Sequence, residues 1–136
     1  MGGLMTSPSN VNFSGADSYL QAAMSGLAAR QRTIANNIAN ADTPNFKASE
    51  VRFEDALKSA ISRGQGSSAA DQSSLNRSVS QSSLLDASST RADGNNVDID
   101  QEMVDLADAN TSYNALAQLA LGRLQMLRSV INDGRR

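Results

Sequence analysis

Hydrophobic positions near the two ends of the chain recur in alternating steps of four and three; those in the middle do not. In the first stretch Leu20, Met24, Leu27, Ile34, Ile38 and Ala41 follow the alternation, with Gln31 as the one polar interruption. Such spacing makes a heptad-like seam and predicts an amphipathic helix over residues 14–41, roughly 40 Å long at the helical rise. Ser14 or Asp17 can cap its start. The second stretch reads Ile99, Met103, Leu106, Asn110, Tyr113, Ala117, Ala120, Leu124, Leu127, Ile131 and predicts a helix over residues 98–132. Asp98 is a good N-cap, and Gln101 three residues later completes a capping-box-like pair. Leu116, Leu119, Leu121, Met126 and Val130 widen the apolar face toward the C-terminal half. Acidic residues fill the first part of this helix and Arg123 and Arg128 sit near the other end, which complements the helix dipole. Asp133-Gly134 ends it, leaving a tail at 133–136.

Between the helices the pattern dissolves. Residues 1–13 are polar and rich in Gly, Ser and Asn, and read as a flexible arm. Residues 42–62 begin with a turn and an extended piece, then carry a short amphipathic patch of Phe53, Ala56, Leu57, Ala60 and Ile61. Residues 63–97 read as a mobile serine-rich loop, because such a stretch buries too little apolar surface to offset its ordering entropy. Leu75, Val79, Leu84 and Leu85 are its only anchors, and pairing of "SSLNRSVSQSSLL" as a strand is the lesser alternative. The expected fold class is mainly α: two long terminal helices in a coiled-coil-like hairpin, with an extended, flexible middle. A lone hairpin is marginal, so the widened face of the second helix implies self-association or assembly with related chains.

Composition narrows the function. The 136 residues carry net charge −2, with no cysteine and no histidine. Disulfides, thiolate metal sites and the usual general base near neutral pH are thereby absent, and enzyme activity is not expected. No basic excess points to nucleic acid. The paired carboxylates Glu54–Asp55 and Asp98–Asp100 read as a surface face and a cap. "DGNNVDIDQE" alternates Asp and Asn but lacks the spacing and closing Glu of a calcium loop. Neither a secretory signal nor a run of 18 apolar residues is present. No cofactor, small-molecule substrate or transmembrane segment is therefore expected.

The segment "ANNIANADTPNF", residues 35–46, carries more. Pro44 disfavours the α conformation at Thr43, so the helix must stop near Ala41 or Asp42. Pro44-Asn45 suits the centre of a type II turn, and Phe46 follows the reversal. Asn36, Asn37 and Asn40 are mediocre helix formers placed just before that stop. Asn36 and Asn40 lie opposite the Ile34–Ile38 seam and Asn37 on its flank. They are expected to form a polar face for a neighbouring subunit, beside a corner that turns Phe46 outward.

Residues 30–57, "RQRTIANNIANADTPNFKASEVRFEDAL", and 93–131, opening "DGNNVDIDQEM" and closing "MLRSVI", resemble the paired end signatures of the flagellar axial protein family of rod and hook subunits. Asn45 and Phe46 stand where the family pattern has Gly and Tyr. Within the family the likeness is to a proximal rod protein, ahead of the sister rod protein FlgC. The short middle fits too, since hook and distal rod members carry large inserted domains there. The resemblance implies a structural subunit of the flagellar basal body, exported without a cleaved signal and polymerising through its terminal helices as the periplasmic rod. It implies as partners the chain itself, the rod proteins FlgC, FlgF and FlgG, the adaptor FliE, the MS ring and the export gate. The residues assigned to assembly are those of the two seams (Leu20, Met24, Leu27, Ile34, Ile38; Met103, Leu106, Tyr113, Leu116, Leu124, Leu127, Ile131) and of the asparagine corner (Asn36, Asn37, Asn40, Asp42, Thr43, Pro44, Phe46). A cytoplasmic helical adaptor or chaperone is the competing reading from another class.

Overall fold

A computed structural model describes residues 13–64, 68–85 and 91–135. The arm expected at the N-terminus lies outside these residues up to position 12. Among the described residues six elements follow in order: α1 (Phe13–Ala39), β1 (Ser49–Val51), α2 (Phe53–Ser62), α3 (Ala69–Val79), β2 (Ser82–Leu84) and α4 (Ile99–Asp133).

Helices α1 and α4 form the antiparallel hairpin. Asn37 bonds Glu102, Gln31 bonds Asn110 and Asp17 pairs with Arg123, so the two helices run past one another in constant register. Leu27, Ile34 and Ala41 of the first seam are buried, and Leu20, Met24 and Ile38 are half-buried.

The second seam is offset by one position over its first half. Glu102, Leu106, Ala109, Tyr113, Leu116 and Ala120 face inward, whereas Met103 is 59% exposed and Asn110 is exposed. The expectation took the apolar residues for the contact line. The contact instead uses an alanine and a carboxylate, because Asn37 on α1 presents a polar group that Glu102 must meet.

On the other side of α1 sits a small lobe. Strands β1 and β2 pair antiparallel, Ser49 opposite Leu84 and Val51 opposite Ser82. Helices α2 and α3 pack on α1, and Leu27, Val51, Phe53, Ala60, Leu75 and Val79 close one core between them. Phe53 lies so close to α1 that a Cβ at Gly26 would overlap its ring.

Helix α3 and strand β2 lie within the stretch 63–97 expected as a mobile loop, of which residues 65–67 and 86–90 fall outside the described residues. Ser68 caps α3 by accepting from Asp71 N at 3.1 Å. Leu75 and Val79, one turn apart, are the anchors, and both are fully buried. Ser73, Ser74 and Ser78 turn their hydroxyls back onto carbonyls three or four residues earlier, so they satisfy themselves within the helix. Two well-placed apolar residues, Leu75 and Val79, outweigh the serine content because the shared core with α1 and α2 covers them.

Candidate assembly interface

The two signature segments meet in one hydrogen-bonded knot. Helix α1 ends at Ala39 and tightens through Asn40 and Ala41, whose N–H groups donate to Asn37 O and Ile38 O at 3.2 Å. Phe46 N–H donates to Thr43 O at 3.3 Å, and Asn45 takes the positive φ of 61° that the turn requires. The loop before α4 then wraps this corner. Asn45 N–H donates to Asp93 O at 2.8 Å, Lys47 Nζ to Gly94 O at 2.6 Å, and Ala48 N–H to Asn96 Oδ1 at 2.6 Å. Gly94 sits at φ 79°, with Asn45 where its Cβ would be. Arg91 Nη1 reaches Ala41 O at 2.9 Å.

Asn95 holds the centre. It is 0% exposed. Its Nδ2 donates to Asn40 O, Ala41 O and Thr43 O at 2.8, 3.0 and 2.9 Å, and its Oδ1 accepts Val97 N–H at 2.8 Å. Ala41, Ala48 and Val97 form a second small core over it, with Phe46 half-buried against them. The corner thus turns Phe46 inward. The outward placement expected for it fails because the loop at 91–97 brings apolar surface to that side.

Asn37 is likewise an internal strut and not part of an outward polar face. Its Nδ2 donates to Ser49 O at 2.8 Å and Glu102 Oε1 at 3.0 Å, and its Oδ1 accepts Ser49 N–H at 3.0 Å. One buried amide therefore ties α1 to β1 and to α4. Burial pushes the Glu102 carboxyl above its ordinary pKa. The Asn37 hydrogen bond opposes that rise, and Asp105, Asp98 and Glu50 add to it. Arg30 performs the matching task one layer on. It donates twice to Val51 O, pairs with Glu54 at 2.6 Å and lies over the Phe53 ring at 4.6 Å. Burial opposes the charge on Glu54, but the Arg30 hydrogen bond, a backbone N–H and the Arg30 charge together outweigh it, and the carboxyl falls below its ordinary pKa.

Asn36 and Asn40 do lie on the outer side of α1. Asn40 Nδ2 bonds Asn36 O and Oδ1 at 2.8 and 2.6 Å, and Thr43 Oγ1 bonds Asn40 Oδ1 at 3.2 Å. Asp42, Thr43 and Pro44 are exposed beside them. At α4 the apolar residues after Leu116 divide. Ala120 faces α1, whereas Leu119, Leu121, Leu124, Met126, Leu127, Val130 and Ile131 are 42–65% exposed. The candidate surface is therefore a continuous apolar end of α4, far along the hairpin from the asparagine corner.

Asn95, Asn96 and Glu102 are not among the residues the sequence points to, although two adjacent asparagines just ahead of the helix cap Asp98 are an available signal. Asp98 caps α4 as expected, accepting from Asp100 N and Gln101 N. Gln101 turns to Asp105 at 2.9 Å, so the reciprocal half of the box is not made. No helix among the described residues is long and apolar enough to cross a membrane.

Comparison with known proteins agrees with the two signatures. The family described as flagella basal body rod protein matches residues 20–47, which span the first seam and the corner. The flagellar basal body rod protein FlgB of Bacillus subtilis (strain 168) is 36% identical over 127 residues, covering 90% of this chain and 98% of that one. FlgB of Borrelia hermsii is 38% identical over 117 residues, covering 77% of this chain and 87% of its own. FlgB of Yersinia enterocolitica is 32% identical over 131 residues, covering 88% and 96%. At these identities and coverages, the chain belongs to the FlgB family of flagellar basal body rod proteins.

Proposed function

We propose that this chain is a structural subunit of the proximal rod, polymerising through its terminal helices to join the membrane ring and export gate to the rest of the rod. The observation that carries the reading is the exposed apolar end of α4. Seven large apolar side chains stand on it at 42–65% exposure, a patch that monomeric soluble proteins rarely leave open. A subunit of an assembly needs such a surface, and the family supplies the assembly. The role is structural: the chain has neither histidine nor cysteine for conventional acid–base or thiol chemistry. In this reading the subunit leaves the cytoplasm without a cleaved signal and meets FliE, the MS ring and export gate, and FlgC, FlgF and FlgG.

The test is cross-linking in purified basal bodies. Recovery of the chain there, joined to the ring or to FliE, supports the proximal position. Cross-links confined to distal rod proteins would place it elsewhere in the rod, and retention in the cytoplasm would favour an adaptor or chaperone.

A further inference from the structure

A groove of about 460 Å³ opens between α1, β1 and the first half of α4. Its lining mixes hydroxyl, apolar and acidic side chains, Glu50 among the last. Ile34, Val51 and Leu85 supply apolar surface; Glu102, Asp105 and Asp108 supply carboxylates. Glu102 is only 8% exposed. Asn37 occupies its Oε1, and among the described residues no donor reaches Oε2. Asp108 has no hydrogen bond or ion pair among the described residues, and Asp105 has only Gln101. The single cation on the lining, Arg30, is committed to Val51 O and Glu54. The carboxylates form no group that could hold a metal ion. A groove with apolar sides and unbalanced negative charge fits a long side chain whose stem is aliphatic and whose head is cationic, an arginine or a lysine.

The far end of α4 carries that chemistry. Arg123 pairs with Asp17 near the start of α1, and the helix continues beyond it. There Arg128 and Arg135 are exposed among Leu124, Leu127 and Ile131. The basic tip cannot reach the groove of its own chain. Asp105 and Arg128 lie on one continuous helix, on the order of 35 Å apart at the helical rise. Complementary patches at opposite ends of a rigid element generate a head-to-tail contact that does not close on itself.

We propose that the groove between α1, β1 and α4 receives Arg128 and the basic, apolar tip of α4 from a second copy of this chain. The inference rests on the rod reading above and names one of its subunit contacts.

Charge exchange tests it on the full-length chain. Asp105→Lys with Asp108→Lys reverses the groove; Arg128→Glu with Arg135→Glu reverses the tip. By sedimentation velocity each reversed chain should self-associate ~10-fold or more weakly than the wild type, because like charges then meet. An equal mixture of the two should regain wild-type association, since each groove again finds an opposite tip. As the chain has no cysteine, Asp108→Cys mixed with Arg128→Cys should also give a disulfide-linked pair under mild oxidation. That second readout decides the matter if a reversed chain fails to fold. Unchanged association of the reversed chains, no rescue on mixing, no cross-linked pair, or a wild type that stays monomeric would each overturn the contact. Wild-type chain recovered from basal bodies while the reversals do nothing would sink the groove contact alone. Its absence from basal bodies would sink the rod reading.

Discussion

Replacing Asn95 by alanine should cost the fold about 3 kcal/mol, and the figure follows from which groups lose their partners. The amide has two N–H bonds shared among three carbonyls, so at most two full donor bonds disappear. Those carbonyls are not orphaned. Asn40 O keeps Thr43 N–H, Ala41 O keeps Arg91, and Thr43 O keeps Phe46 N–H. Each loss is therefore worth roughly the net value of an ordinary hydrogen bond, about 1 kcal/mol or less. Val97 N–H is different: it is buried and Asn95 Oδ1 is the acceptor it uses, so its loss adds about 1–3 kcal/mol. Asn95→Asp separates the contributions. It keeps an acceptor for Val97 but removes both donors and sets a carboxylate against three carbonyl oxygens, so it should destabilise at least as much as alanine. Chemical unfolding followed by far-UV circular dichroism gives both values by linear extrapolation, against a total of ~5–15 kcal/mol for a typical domain. Aspartate tolerated better than alanine would refute the reasoning, as would a cost below about 1 kcal/mol for both.

Three further outcomes are expected. Gly26→Ala forces a methyl into the Phe53 ring and should lower stability by about 1–3 kcal/mol, read as a fall in the thermal midpoint. Glu102→Gln tests the raised pKa. Folding binds the Glu102 proton more tightly than the unfolded chain does, so the native state loses stability as pH rises from below the ordinary value of 4.5 through the raised one. The glutamine variant should melt higher than the wild type near neutral pH and no higher in acid; a gain confined to acid would reverse the assignment. Leu127→Glu with Val130→Glu changes side chains that are already exposed, so unfolding free energy should move by no more than about 0.5 kcal/mol per site. The same chain should fail to enter basal bodies, as measured by fractionation and motility.

Much of this architecture can be read from residue order, because the terminal helices are long and strongly periodic. The turn at Pro44-Asn45 was legible for a local reason: Asn45 tolerates a positive φ that few other residues do. What escaped the reading was long-range and polar. Asn37 looked like a surface residue on the flank of a seam, yet its partners lie 12 and 65 positions away. Those partners alone make its burial tolerable. The one-position offset at Glu102 and Ala109 has the same origin, as does the inward turn of Phe46. Helix α3 was missed because composition averages over the two residues, Leu75 and Val79, that decide its fate.

The knot around Asn95 pins the two ends of everything between Ala48 and Arg91, and Leu85 N–H donating to Ala48 O at 2.8 Å tightens the neck. The lobe of β1, α2, α3 and β2 thus has its two chain ends held together at one neck, while its core lies against α1. Loop-closure entropy grows only with the logarithm of length, so doubling a flexible insert adds just ~0.6 kcal/mol at such a neck. Length added within the insert is therefore cheap in closure entropy at this neck, so long as the residues packed on α1 are kept. The asparagines at the stop of α1 and before α4 thus form a hinge pin that separates the length of the insert from the register of the helix pair.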